Sequence, residues 1–127
     1  MGRKLSVAYI QEIVAAFNSR DVDRIVGYFT EDCTFYPSRG PEIVGARIHG
    51  RAAVRKYLAD RFELIPDMRW DPVYDYVADD TRAVSVWIVR GRHVNGESIE
   101  RQGVDLWEFK DGLVHNKDTY WKVVEGA

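Results

Sequence analysis

The chain has 127 residues, 46% of them apolar and 30% charged, and a formal net charge of −2. That length suits one domain with a real core, and the composition is that of an ordinary globular protein rather than a disordered one. The near-neutral balance supplies no general field for a nucleic-acid backbone or an anionic membrane, no apolar run reaches the length of a membrane span, and the basic start "MGRKLSVAYIQEI" lacks the uninterrupted apolar stretch of a secretory signal.

Along the chain, Val7, Ile10, Val14 and Phe17, widened by Ile13, recur at helical spacing and predict a first helix that "NSRD" interrupts. Asp21 is placed to cap a short second helix, "VDRIVGYF", whose buried side is Val22, Ile25 and Phe29. "TEDCTFYPSRGPEIVGARIHG" carries two prolines and three glycines and predicts a strand at Cys33 to Tyr36 followed by a long excursion. Cys33 is the single cysteine, so no intrachain disulfide can form, and it is read as a small buried hydrophobe rather than a nucleophile. A third helix, "RAAVRKYLADRFELI", sets Val54, Tyr57, Leu58 and Phe62 on or near one face and is stopped by Pro66.

From Trp70 the period changes to two. "WDPVYDYVA", "TRAVSVWIVRGR", "ESIERQGVDLWEF" and "LVHNKDTYWKVV" are successive strands separated by "DD", "VNGE" and "KDG". Helices gathered ahead of hairpin-linked strands predict an α+β fold: a cone-shaped single domain in which three helices pack on a strongly curved, mostly antiparallel sheet. The open end of such a cone can house a small molecule.

Asp105 raises the functional question, because it lies at a strand centre and shares its face with Arg101, Gly103, Trp107 and Phe109. Two readings stand. In a concave aromatic site the carboxyl would be kept neutral and donate a hydrogen bond; alternatively, Arg90, Arg92 or Arg101 pairs with it. On the last strand, His115, Lys117, Thr119 and Trp121 alternate with Asn116, Asp118, Tyr120 and Lys122, and only one set can face the pocket. Lys117, Thr119 and Trp121 are therefore candidates for ligand contact, with Asp118 a candidate acid or base from the other set.

His49, in "ARIHGR" ahead of the third helix, is a further proton-transfer candidate, whereas His115 stands close to a turn. Tyr36 can donate a hydrogen bond inside an apolar cavity, and Trp87 and Trp107 can serve as its flat walls. The sequence contains no glycine-rich phosphate loop, paired-cysteine zinc site or nucleophile elbow. Any catalysis is thus expected to need no cofactor or metal.

The stretches "VAAFNSRDVDRIVGYFTEDCTFY", "GARIHGRAAVRKYLADRF" and "GVDLWEFKDGLVHNKDTYW" resemble the nuclear-transport-factor-2-like superfamily, in its SnoaL-like and ketosteroid-isomerase-like branch. The resemblance implies a single SnoaL-like domain over residues 1–127, commonly a homodimer through the outer sheet face. Asp105 in "GVDLWEF" is similar to the oxyanion-hole acid of ketosteroid isomerases. The corresponding tyrosine position is held by Ile13 and the base position falls at or near Pro37, so Tyr36 is left as donor and His49 or Asp118 as base. Cyclase-like relatives often carry an acidic acid/base residue on the last strand, where Thr119 stands here. The expected function is a cofactor-independent isomerase, cyclase or lyase that moves protons in a small, mostly apolar cyclic or carbonyl ligand. The alternative is a non-catalytic ligand-binding or dimeric scaffold protein. In either case we expect a cytoplasmic chain with no nucleic-acid or membrane partner.

Overall fold

In the computed structural model, which describes residues 3–126, α1 spans Val7–Ser19 and starts at Ser6, whose Oγ accepts the Tyr9 amide at 3.1 Å. Its apolar stripe is buried through Ile10, Ile13, Val14 and Phe17, while Val7 at its start stays exposed. Arg20 closes the helix in the left-handed conformation. Asp21 caps α2 (Val22–Val26) by accepting the Arg24 amide. This helix is shorter than its pattern predicts: Gly27 ends it, and Phe29 is the first residue of strand β1 (Phe29–Tyr36).

The excursion after β1 returns as the two-residue strand β2 (Ile48–His49), and α3 (Arg51–Leu64) follows it. The remaining strands are β3 (Arg69–Val77), β4 (Arg82–Arg92), β5 (Ser98–Lys110) and β6 (Leu113–Trp121). Together they form one open six-stranded sheet in the order β2-β1-β6-β5-β4-β3, with the three helices packed against it. Every pairing is antiparallel except that of β1 with β6, which is parallel. Register shifts at Pro72/Tyr74 and Glu108/Phe109 mark bulges, which bend the long strands and strengthen their twist.

Two polar clamps fix helix to sheet. Asn18, in the last turn of α1, accepts the Trp70 amide at 2.7 Å and donates to the Trp70 carbonyl at 2.9 Å, acting as a one-residue neighbour for the open edge of β3. Tyr9 donates its phenol to the Gly112 carbonyl at the β5–β6 turn at 2.6 Å. Cys33 is fully buried in the core.

Candidate functional site

The inner face of the sheet is a lattice of rows running from floor to mouth. Ala83, Trp107 and Lys117 are side by side on β4, β5 and β6; Ser85, Asp105 and Thr119 form the next row; Trp87, Gly103 and Trp121 the one after; Val89 and Arg101 come last. Two glycine and tryptophan positions explain each other. A Cβ on Gly103 would lie 2.7 Å from the Trp87 ring and 2.5 Å from the Tyr120 carbonyl oxygen, so only glycine lets the indole lie across β5.

That placement lets Trp87 Nε1 donate to Asp105 Oδ2 at 2.9 Å. Thr119 Oγ1 donates to Asp105 Oδ1 at 2.6 Å, and Lys117 Nζ lies 3.0 Å from the same oxygen and 2.8 Å from Thr119 Oγ1. Asp105 and Lys117 are each only 3% exposed. The indole N–H can only donate, and the contacts run to both carboxyl oxygens, so the geometry presents Asp105 as an acceptor rather than as the hydrogen-bond donor that its aromatic company suggests.

Nor is an arginine its partner. Arg90 is engaged by Asp71 and Glu100, Arg101 donates to the Glu100 carbonyl and Arg92 to the Gly96 carbonyl. The lysine comes instead from β6, where the bulge at Glu108/Phe109 sets the register that brings it diagonally to Asp105. Burial pushes the Lys117 ammonium below the usual lysine range, and the Asp105 charge opposes that shift. Its nitrogen also lies 4.2 Å from the centre of the Phe35 ring and 5.2 Å from that of Phe17, a cation–π setting that holds the amine among aromatic faces.

Lys117 and Thr119, not Asp105, face open space. They form the polar floor of a cleft of about 40 Å³ walled by Phe35, Tyr57, Leu58, Phe62, Met68, Trp70 and Trp121, with Pro37, Ser38 and Arg61 at its sides. The Tyr57 ring packs edge-on against Phe35, and burial raises its phenol above the ordinary tyrosine value. The cleft therefore offers an amine, a hydroxyl and a phenol inside an aromatic wall.

The other candidates lie elsewhere. His49 is exposed, its Nδ1 3.0 Å from Thr34 Oγ1 on the sheet edge. Asp118 and Tyr36 are neighbours on the outer face, where the opposite phase of β6 puts them, and burial raises the Asp118 carboxyl. Trp87 and Trp107 are core residues that hold the polar lattice, the latter by donating to Ser85 Oγ at 2.9 Å, so neither walls the cleft. His115 lies beside Thr30 and Asp32 near the start of β6. Tyr57 and Arg61 were not singled out chemically by the sequence, because on an amphipathic helix they read as a core tyrosine and a solvated arginine.

Comparison with known proteins agrees with this architecture. The family model for the SnoaL-like domain matches residues 10–116. An NTF2-like protein of unknown function from Burkholderia pseudomallei is 22% identical, with a TM-score of 0.78 over 93% of this chain and 92% of that one. A protein of Xanthomonas campestris pv. campestris, provisionally assigned as a polyketide cyclase, is 23% identical with a TM-score of 0.78 over 91% and 88% of the two chains. The epoxide hydrolase/cyclase-like enzyme SalBIII, of pyran ring formation in the polyether salinomycin, is 21% identical with a TM-score of 0.76 over 91% and 88%. No curated protein matches the chain.

Proposed function

Because the chain belongs to the SnoaL-like domain family, we propose that it is a cofactor-independent isomerase or cyclase that moves a proton within a small, mostly apolar cyclic carbonyl compound. The observation that carries this reading is the buried Lys117–Asp105 pair, 3.0 Å apart, with the amine on the floor of an aromatic cleft. A lysine whose ammonium is disfavoured by burial is more readily present as the free amine, the form that can act as a base. Its amine takes the proton from the carbon next to the carbonyl, and the resulting ammonium is held by Asp105. The same proton then returns to another carbon in an isomerisation, or to the oxygen of a closing ring in a cyclisation. The Tyr57 phenol is the donor for the carbonyl oxygen as negative charge develops there. Cyclase assignments among the fold neighbours support the reaction class. Asp105 is in this scheme a positioning residue, since it acts through Lys117.

A second reading rests on a specific observation. The cleft lining contains no carboxylate or imidazole, and its free space of about 40 Å³ is small beside typical ligand pockets of roughly 300 Å³ or more, which fits a protein that binds without turnover. Deuterium exchange separates the two. With cyclohexenone in deuterated buffer, the wild-type protein is expected to speed exchange next to the carbonyl, and Lys117→Met to reduce that rate by about 10²-fold or more. Ketone binding without any accelerated exchange would leave only the binding reading.

We further propose that a second copy covers the outer sheet face. The net charge gives no reason for a nucleic-acid partner, and no described helix is long and apolar enough to cross a membrane.

A further inference from the structure

Above the aromatic cleft the cone widens into a second cavity of about 190 Å³, and its lining has a different character. Arg39 reaches it from the loop after β1, Arg61 from α3 and Arg101 from the mouth end of β5, while His93, Asn95 and Glu97 come from the β4–β5 turn. Arg61 and Trp121 line this cavity and the cleft alike, so the two spaces adjoin.

Among the described residues, none of these three arginines has a carboxylate within ion-pair distance, although most arginines elsewhere on the molecule do. The Arg39 guanidinium carbon lies over the Trp121 ring, 5.0 Å from its centre, and Arg101 donates to the Glu100 carbonyl at 2.8 Å. His93 Nδ1 accepts the Asn95 amide at 3.0 Å, so the turn is braced by its own contacts. Three guanidinium groups thus face one carboxylate, Glu97. Burial and the nearby Arg39 both disfavour the charged form of Arg61, a strain that an incoming anion relieves.

We propose that Arg39, Arg61 and Arg101 form an anion-receiving collar at the mouth of the cone, which binds the carboxylate of a ring-bearing organic acid and aims its apolar end at Lys117. A guanidinium fork matches a carboxylate in two parallel hydrogen bonds, which a bare ammonium would not do. The apolar cleft directly below accounts for the ring: the anion stays at the mouth and the ring edge enters between Trp121 and Tyr57. The inference rests on the proposed proton chemistry only for what happens at the Lys117 end.

The test compares benzoate, its uncharged isostere benzamide and inorganic phosphate by calorimetry and by the amide and indole NMR shifts of the full chain. Benzoate is expected to bind at least about tenfold more tightly than benzamide, to weaken with added salt and to move the Trp121 indole signal. Arg61→Met and the exposed-loop substitution Arg39→Gln should each cost about tenfold in benzoate affinity, with melting curves confirming that both variants fold. Equal binding of benzoate and benzamide, a preference that survives both arginine substitutions, or phosphate competing as strongly as benzoate would overturn the proposal. Loss of the anion preference with Lys117-dependent exchange intact would sink the collar alone. An intact preference with no exchange on any ketone would sink the proton chemistry alone.

Discussion

Lys117 and Asp105 form a 3.0 Å ion pair across β5 and β6 with both residues 3% exposed, and the Trp87 indole and the Thr119 hydroxyl each donate to the same carboxylate. Removing one member of such a pair strands the other charge in a dry interior, which is far more damaging than removing both. Asp105→Leu and Lys117→Met should each destabilise the fold by about 3–5 kcal/mol in urea unfolding, and the double variant by clearly less than the two together. Additive losses would mean that the two groups do not depend on each other.

The same pair sets a pH dependence of known sign. Burial lowers the Lys117 pKa in the folded chain, so between the folded value and the unfolded value near 10.4 the unfolded state binds more protons. Stability from this group therefore rises with pH through that window; the penalty is full below the folded value and absent above the unfolded one. Buried tyrosines such as Tyr57, whose values are raised, contribute with the opposite sign, losing stability as pH rises. Subtracting the Lys117→Met profile from the wild-type profile isolates the lysine, and a difference that falls with pH would contradict its lowered value.

Gly103 is predicted to be intolerant although it lies within a strand and has no unusual backbone angle. An alanine Cβ would meet the Tyr120 carbonyl and the Trp87 ring inside 3 Å, and neither is a flexible side-chain tip. Gly103→Ala should cost about 1–3 kcal/mol and shift the Trp87 indole N–H signal as its bond to Asp105 loosens. An unchanged indole signal would separate Gly103 from the site.

These relationships show what the sequence could and could not convey. The stripe of α1, the Asp21 cap and the four period-two strands were legible because each is written in local spacing. Phe29 was drawn into the second helix because an apolar residue fits either period, and only Gly27 and the pairing with Val114 make it a strand residue. The parallel β1–β6 pairing has no turn to announce it. Asp105 was recognisable as unusual, but its partner depended on register across a bulge, which moves Lys117 into reach while Arg90 is taken by Asp71 and Glu100. Asp118 and Tyr36 went to the outer face for the same reason: one residue of phase decides which side of a strand meets the ligand.

Asn18 illustrates a tertiary role hidden in what reads as a helix stop. Its amide satisfies both backbone groups of Trp70, which also walls the cleft. Asn18→Asp keeps the acceptor but removes the donor to the Trp70 carbonyl, and should lower stability by about 1–3 kcal/mol with a change in Trp70 fluorescence. Full stability in this variant would show that water replaces the clamp.

The outer face leads to the final prediction. Tyr74, Val86, Val104 and Tyr120 are successive register partners across β3, β4, β5 and β6, so one uninterrupted row spans four strands with apolar or aromatic side chains directed away from the helices. The adjacent row adds Tyr76, Val84 and Leu106 before ending at Asp118. Tyr74 and Tyr120 are more than half exposed, and Leu106 is 43% exposed, so the chain's own helices do not cover this surface. A two-layer domain can bury only one face of its sheet, and a self-complementary patch of this kind favours an isologous pair about a twofold axis. Sedimentation equilibrium at tens of micromolar is expected to give about twice the chain mass of 14.7 kDa. Val104→Glu, at the centre of the row, should return the protein to the single-chain mass while leaving its melting transition cooperative, because that side chain points away from the core. A wild-type protein that sediments as one chain at these concentrations would remove the second copy from this face, and dimerisation that persists in Val104→Glu would move the interface elsewhere.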